Sequence, residues 1–241
     1  MSSPTLVRDP VRRPAEHEAG GRRLAARPDP RRAALVVVLG YLATVATLVL
    51  SGLLLTHVLV HGRLGRWDES STRWLSLHRH GGLDTMTGLL TRSADTVGII
   101  VAALAVLVLL ATRRRWTQMA VLVTALVVEL SAFLTVNAVI GRDRPAVVRL
   151  GSTPSTSSFP SGHTAATLVL YGAIALFVSA TVRAIVWRAL AWLAAVLMPV
   201  IVGFARVYRG FHHPTDVFFG LVLGFAALAV AVLAVRPEER R

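Results

Sequence analysis

The chain has 241 residues, of which 54% are hydrophobic and only 16% charged, whereas a soluble domain carries about a quarter charged residues. The deficit points to lipid as solvent and argues against a soluble globular class. The formal net charge is +13, all 26 basic residues are Arg, and Cys is absent. Disulfide and thiolate chemistry are thereby excluded. No nucleic-acid-binding motif accompanies the charge, and Arg clusters between apolar runs fit a membrane topology signal better.

Met1 to Arg32 is rich in Arg, Pro, Ala and Gly and reads as a disordered cytoplasmic tail. The apolar run after it is too long for a signal-peptide core and reads as an uncleaved first membrane helix. Six runs approach the roughly 20 apolar residues a spanning helix needs. They are Ala33–Val60, Val97–Thr112, Thr117–Ile140, His163–Thr181, Ile185–Arg206 and Thr215–Val235. Backbone groups in lipid must be bonded internally, so the expected fold is all-α, a six-helix transmembrane bundle over residues 33–235 followed by a short cytoplasmic tail, 236–241. Between the first two runs, Arg63–Asp95 mixes Trp67, Trp74, Leu77 and Leu89 with polar residues. It reads either as an amphipathic helix at the outer interface or as a loop packed on the bundle.

Arg placement sets the orientation. With the amino terminus inside, the inner segments hold eight Arg in the tail, three at Arg113–Arg115, Arg183 and Arg188, and three near the carboxyl end, leaving ten for the outer side. Both termini are therefore expected in the cytoplasm.

Two segments then fall outside the membrane on one side. The first runs from Gly141-Arg142-Asp143-Arg144-Pro145 to Pro160-Ser161-Gly162-His163, and the second from Arg206 to Asp216. Pro160-Ser161-Gly162-His163 opens a helix, where unpaired N–H groups and the positive dipole end favour an anion. Gly162 permits close backbone approach and Ser161 adds a hydroxyl donor. Arg144 and Arg206 can each fork two hydrogen bonds onto phosphate oxygens. His212 and Asp216 stand four apart, a spacing that pairs an imidazole with an orienting carboxylate. His213, three residues from the same Asp216, competes for that role.

These residues resemble the type-2 phosphatidic acid phosphatase superfamily, which also includes vanadium-dependent haloperoxidases. Its signature is Lys, six residues, Arg-Pro; then Pro-Ser-Gly-His; then Ser-Arg, five residues, His, three residues, Asp. Arg144-Pro145 matches the end of the first part, Pro160-Ser161-Gly162-His163 the second, and Arg206, His212 and Asp216 the third. The resemblance implies a membrane phosphatase acting on a lipid phosphate or polyprenyl diphosphate, with no cofactor and no metal. It implies His212 as nucleophile, Asp216 as its orienting group and His163 as proton donor to the leaving group. Arg144, Arg206, Ser161 and the Gly162 N–H would hold the phosphoryl oxygens.

Asn137 occupies the Lys position and Ala205 the Ser position before Arg206. Losing the Lys charge is expected to weaken phosphate binding, unless Arg142 supplies it. Glu129, eight residues before Asn137, is an intramembrane carboxyl and a functional candidate in its own right. A lipid phosphotransferase and a non-catalytic lipid-phosphate binder remain as alternatives. Six apolar spans argue against a haloperoxidase.

Overall fold

A computed structural model describes residues 29–152 and 155–235, without the side chains of residues 93 and 96. Nearly all of the expected amino-terminal tail, and the carboxyl-terminal tail, lie outside the described residues. Within them the chain is all-α, with eight helices. They are α1 (Pro30–His57), α2 (Arg63–Leu77), α3 (Gly81–Ser93), α4 (Thr96–Thr112), α5 (Trp116–Ile140), α6 (Gly162–Thr181), α7 (Ile185–Tyr208) and α8 (Pro214–Val235).

Five of these helices, all but α2, α3 and α4, are individually long and apolar enough to cross a membrane. The 17 residues of α4 fall short alone, but α3 and α4 meet at a 50° bend and together form a sixth candidate span. The bundle carries its large apolar side chains outward as well as inward: Leu39, Val127, Trp187 and Phe225 are all exposed. That is the pattern of helices solvated by lipid.

Helix α1 starts at Pro30, three residues before the apolar run. Asp29 supplies the cap, its Oδ1 accepting from the Arg31 N–H at 2.9 Å, and Pro is pre-set for the first helical turn. Asp95 caps α4 in the same way, accepting from the Gly98 N–H at 2.8 Å. Helix α8 lies against α1, α5 and α6. Its approach to α6 depends on small residues: a Cβ on Gly220 would stand 2.5 Å from the Ser161 carbonyl oxygen. This contact seats the start of α6 beside the start of α8.

The mixed segment between the first two spans forms two helices, broken at His78–His80 ahead of Gly81 and Gly82. Helix α2 contacts α7 and α8, and α3 contacts α7 and α4, so the pair caps one end of the bundle. The lock is polar. Arg79 donates through Nε and Nη2 to the Tyr208 carbonyl at 3.1 and 2.9 Å, and Tyr208 donates its hydroxyl to Asp84 at 2.7 Å. The carboxyl ends of α1, α5 and α7 and the amino ends of α6 and α8 all reach this capped end.

Candidate active site

Two connections build the site, 141–161 between α5 and α6 and 209–213 between α7 and α8. Backbone bonds fix them: the Leu150 N–H to the Arg209 carbonyl at 3.1 Å joins the two, the Ser158 N–H to the Arg142 carbonyl at 2.8 Å closes the first on itself, and the Ser161 N–H to the Asp216 carbonyl at 3.0 Å ties the first to α8. Gly210 makes the turn possible. Its φ is +79°, and a Cβ there would meet the Val147 side chain at 2.8 Å.

Beneath these loops lies a cavity of about 380 Å³. Its polar end is lined by Arg144, Arg206, Gly162, His163 and His212, and its deeper part by Ile99, Leu126, Glu129 and Phe133. Ile100 and Leu130 line it too, yet are 51% and 55% exposed on the outside of the bundle. The cavity thus opens sideways between α4 and α5, toward the surface that faces lipid.

Arg206 is 3% exposed, and its guanidinium lies 4.1 Å from the centre of the Phe211 ring. Its Nε has no hydrogen-bond partner, and neither does the Nε of Arg144. Arg144 spends its remaining nitrogens on the carbonyls of Phe211 at 2.6 Å, Thr156 at 3.0 Å and Ser157 at 3.1 Å, and on the Thr156 hydroxyl at 3.3 Å. Burial holds the Arg144 guanidinium below its ordinary range. No carboxylate forms an ion pair with either Arg among the described residues. Buried charge is costly without a partner, so the cavity is prepared for an anion. The first-turn amides of α6 point to the same end.

His212 is buried, and its Nδ1 lies 2.7 Å from the Ser158 carbonyl oxygen. A carbonyl only accepts, so Nδ1 carries the proton and Nε2 carries the lone pair. Burial first, then the positive charge of Arg206, hold this imidazole well below the usual histidine range. Asp216 Oδ2 stands farther off, 3.9 Å from Nδ1. The immediate orienting contact of His212 is therefore a backbone carbonyl, with the carboxylate behind it.

Asp216 is a hub. It accepts from the His213 N–H at 2.7 Å, from the Ser158 hydroxyl and from Arg142. His213 also places Nδ1 3.3 Å from Asp216, and its Nε2 3.5 Å from Glu69. Both of its ring nitrogens face carboxylates, and it does not line the cavity. Spacing to Asp216 alone leaves the two histidines in competition, the spacing from Arg206 in the resemblance favours His212, and His212 is the one that lines the cavity.

Two motif residues, Asn137 and Ser161, and their neighbour Arg142 make contacts away from the cavity. Asn137 does not line the cavity. It donates Nδ2 to the Ser157 hydroxyl at 2.8 Å and accepts from the Ser157 N–H at 3.1 Å, clamping a residue that does line it. Ser161 is fully buried, its hydroxyl 2.9 Å from that of Thr164. Arg142 is turned away from the cavity, between Asp216 and Asp68 of α2, the latter at 2.8 Å. Burial alone would lower the Arg142 guanidinium, but Asp216 and Asp68 together hold it above its ordinary range.

Asp68 is the residue that sequence reasoning passed over. It is 1% exposed, pairs with Arg142 and accepts from the Thr215 N–H at 3.1 Å, capping α8 from the neighbouring helix. Its charge is one of several on α2, and nothing in the local pattern singles it out.

The family model of the PAP2 superfamily matches residues 118–240, just over half the chain. A curated relative, the undecaprenyl-diphosphatase of Sulfolobus acidocaldarius, is 33% identical over 89 residues, which are 36% of this chain and 39% of the relative's length. The transmembrane PAP2-type phosphatidylglycerolphosphate phosphatase of Bacillus subtilis superposes with a TM-score of 0.63 at 22% identity, over 82% of this chain and 92% of that one. Aquifex aeolicus LpxE superposes with a TM-score of 0.55 at 22% identity, over 69% and 94%. Both solved structures show the shared membrane fold.

Proposed function

The chain belongs to the PAP2 superfamily of membrane phosphatases, and from its cavity we propose that it hydrolyses a lipid phosphate or polyprenyl diphosphate through a phosphohistidine on His212. The observation that carries this reading is a carbonyl-tethered, neutral His212 in one cavity with buried Arg206 and half-buried Arg144, neither of which has a carboxylate partner. The sideways opening fits a substrate whose tail stays in the bilayer. The names phosphatidylglycerolphosphate phosphatase and undecaprenyl-diphosphatase, carried by two of the similar proteins, also support a lipid-linked phosphate.

In the first step the His212 Nε2 lone pair attacks phosphorus, the N–P bond forms and the bond to the leaving oxygen breaks. His163 gives that oxygen a proton. In the second step water attacks phosphorus and His163 takes the water's proton. The P–N bond then breaks, and its electron pair returns to Nε2. Arg144, Arg206 and the first amides of α6 carry the charge on the equatorial oxygens, the work that metal ions do in other phosphoryl transfers. Free phosphate, released in excess chelator with water as sole acceptor, is the expected product. Activity restored only by magnesium, or transfer to another acceptor, would overturn that part.

His212→Ala should abolish turnover and the acid-labile phosphoenzyme, while His213→Ala retains much of both. Because His212 is held neutral, its protonation should not limit kcat/KM until well below pH 6.5, the ordinary histidine range. Titration of the His212 imidazole near pH 6.5, followed by NMR, would contradict this geometry.

The Arg distribution supports an active site on the outer face with both termini inside. A single Cys at Ser155 should then react with an impermeant thiol reagent in intact cells, and one at Arg114 should not. The reverse labelling would invert the orientation.

A further inference from the structure

Two acidic side chains that the mechanism does not use line the cavity, and one of them, Asp95, is engaged as the cap of α4. Glu129 of α5 is 5% exposed and faces the cavity beside Leu126, Leu130 and Phe133. No ion pair or hydrogen bond joins its carboxyl to another described residue. Its depth can be placed. Phe133 touches Gly162, where a Cβ would stand 3.0 Å from the ring, so Phe133 is level with the first turn of α6 that faces the phosphate. Glu129 lies four residues earlier on a helix running toward the site, about one turn or 5–6 Å deeper. Ala166, one turn into α6, lines the cavity at a matching depth.

A substrate phosphate held by Arg144 and Arg206 therefore puts the next few atoms of the substrate against Glu129. In a polyprenyl phosphate those atoms are hydrocarbon, and a polar group against hydrocarbon is left unsatisfied. In a diphosphate, a second anion would crowd a carboxyl group. In a lipid whose phosphate sits on a hydroxylated backbone, a hydroxyl falls within reach. A hydroxyl can pair with a carboxyl in either of its protonation states.

Resting on the lipid-phosphatase reading above, we propose that Glu129 is a specificity-determining residue that hydrogen-bonds a hydroxyl on the phosphate-bearing backbone of the substrate. The preferred substrate is then a hydroxyl-bearing lipid monophosphate rather than a polyprenyl phosphate or diphosphate. A site built to pair a hydroxyl discriminates against the analogue lacking it, because its own polar group is left unpartnered.

The test compares 1-acylglycerol 3-phosphate with the analogue lacking the free hydroxyl, in mixed micelles, by phosphate release. In the wild type, loss of the hydroxyl should lower kcat/KM about tenfold. In Glu129→Leu the two lipids should react at similar rates, and polyprenyl phosphate should gain relative to both. Glu129→Gln keeps a carbonyl acceptor and should keep most of the discrimination. Equal rates for the two lipids in the wild type overturn the proposal without need of any variant. A penalty that persists in Glu129→Leu overturns it as well. If the wild type releases phosphate from no lipid tried, polyprenyl diphosphate included, the phosphatase reading itself has failed.

Discussion

Arg142 and Arg144 are two residues apart in one loop, yet they meet opposite electrical surroundings. Arg142 lies between two carboxylates, Asp68 and Asp216. Arg144 looks into the cavity with Arg206, and its hydrogen bonds go to backbone carbonyls and one hydroxyl. The first side chain balances buried charge and ties the cap to the bundle. The second leaves half-buried charge unbalanced, and an unbalanced cation is where an anion belongs. Residue type alone does not distinguish these uses; the partners on each side do.

The largest effect expected from this contrast is on stability. Arg142→Ala should cost about 3–5 kcal/mol, because it leaves Asp68 and Asp216 buried without a counter-charge. Thermal unfolding in detergent measures it, and a loss below about 1 kcal/mol would mean that the pairing contributes no more than an exposed one.

Arg206→Ala should behave the other way. Removing one donor to a developing anion lowers turnover by about 10²–10³-fold, while stability changes little, since the deleted charge had no carboxylate partner. The variant should also lose most of the thermal stabilisation that saturating vanadate gives the wild type. A variant that unfolds readily but still turns over would reverse the assignment of the two arginines.

The smallest effect concerns Asn137. Its amide is engaged with Ser157 on both sides, so Asn137→Lys should bring no new charge to the phosphate. It should instead loosen the loop by roughly 1 kcal/mol for each hydrogen bond lost. Vanadate affinity is expected to hold within about threefold, well short of the tenfold or so that a new charged contact would give. A clear tightening would show that a Lys at this position reaches the cavity after all, and that Asn leaves a gap there.

The sequence made the spans legible because lipid imposes length and apolarity on every crossing helix, and it made His163, Arg206 and His212 legible through their spacing. What it hid shares a physical cause. The immediate partner of His212 is the Ser158 carbonyl, and every residue has a carbonyl, so side-chain identity carries no mark of it. Asp68 acts from a helix some seventy residues before Arg142, and its partner depends on how α2 lies across the bundle end. Asn137 was read by its slot in a motif, but the direction of its amide depends on where the loop passes. The break between α2 and α3 falls just ahead of Gly81 and Gly82, whereas the mixed polarity of the segment leaves helix and loop open and gives no position for it.

The sideways opening between Ile100 and Leu130 sets the dimensionality of the encounter. On the proposed reading, the reactant arrives by diffusion within a sheet, and its supply is counted per neighbouring lipid rather than per litre. Diluting the suspension with buffer leaves the turnover of each enzyme molecule unchanged. Diluting the substrate with inert lipid lowers it in proportion to mole fraction, so an apparent KM for this protein takes the units of surface composition.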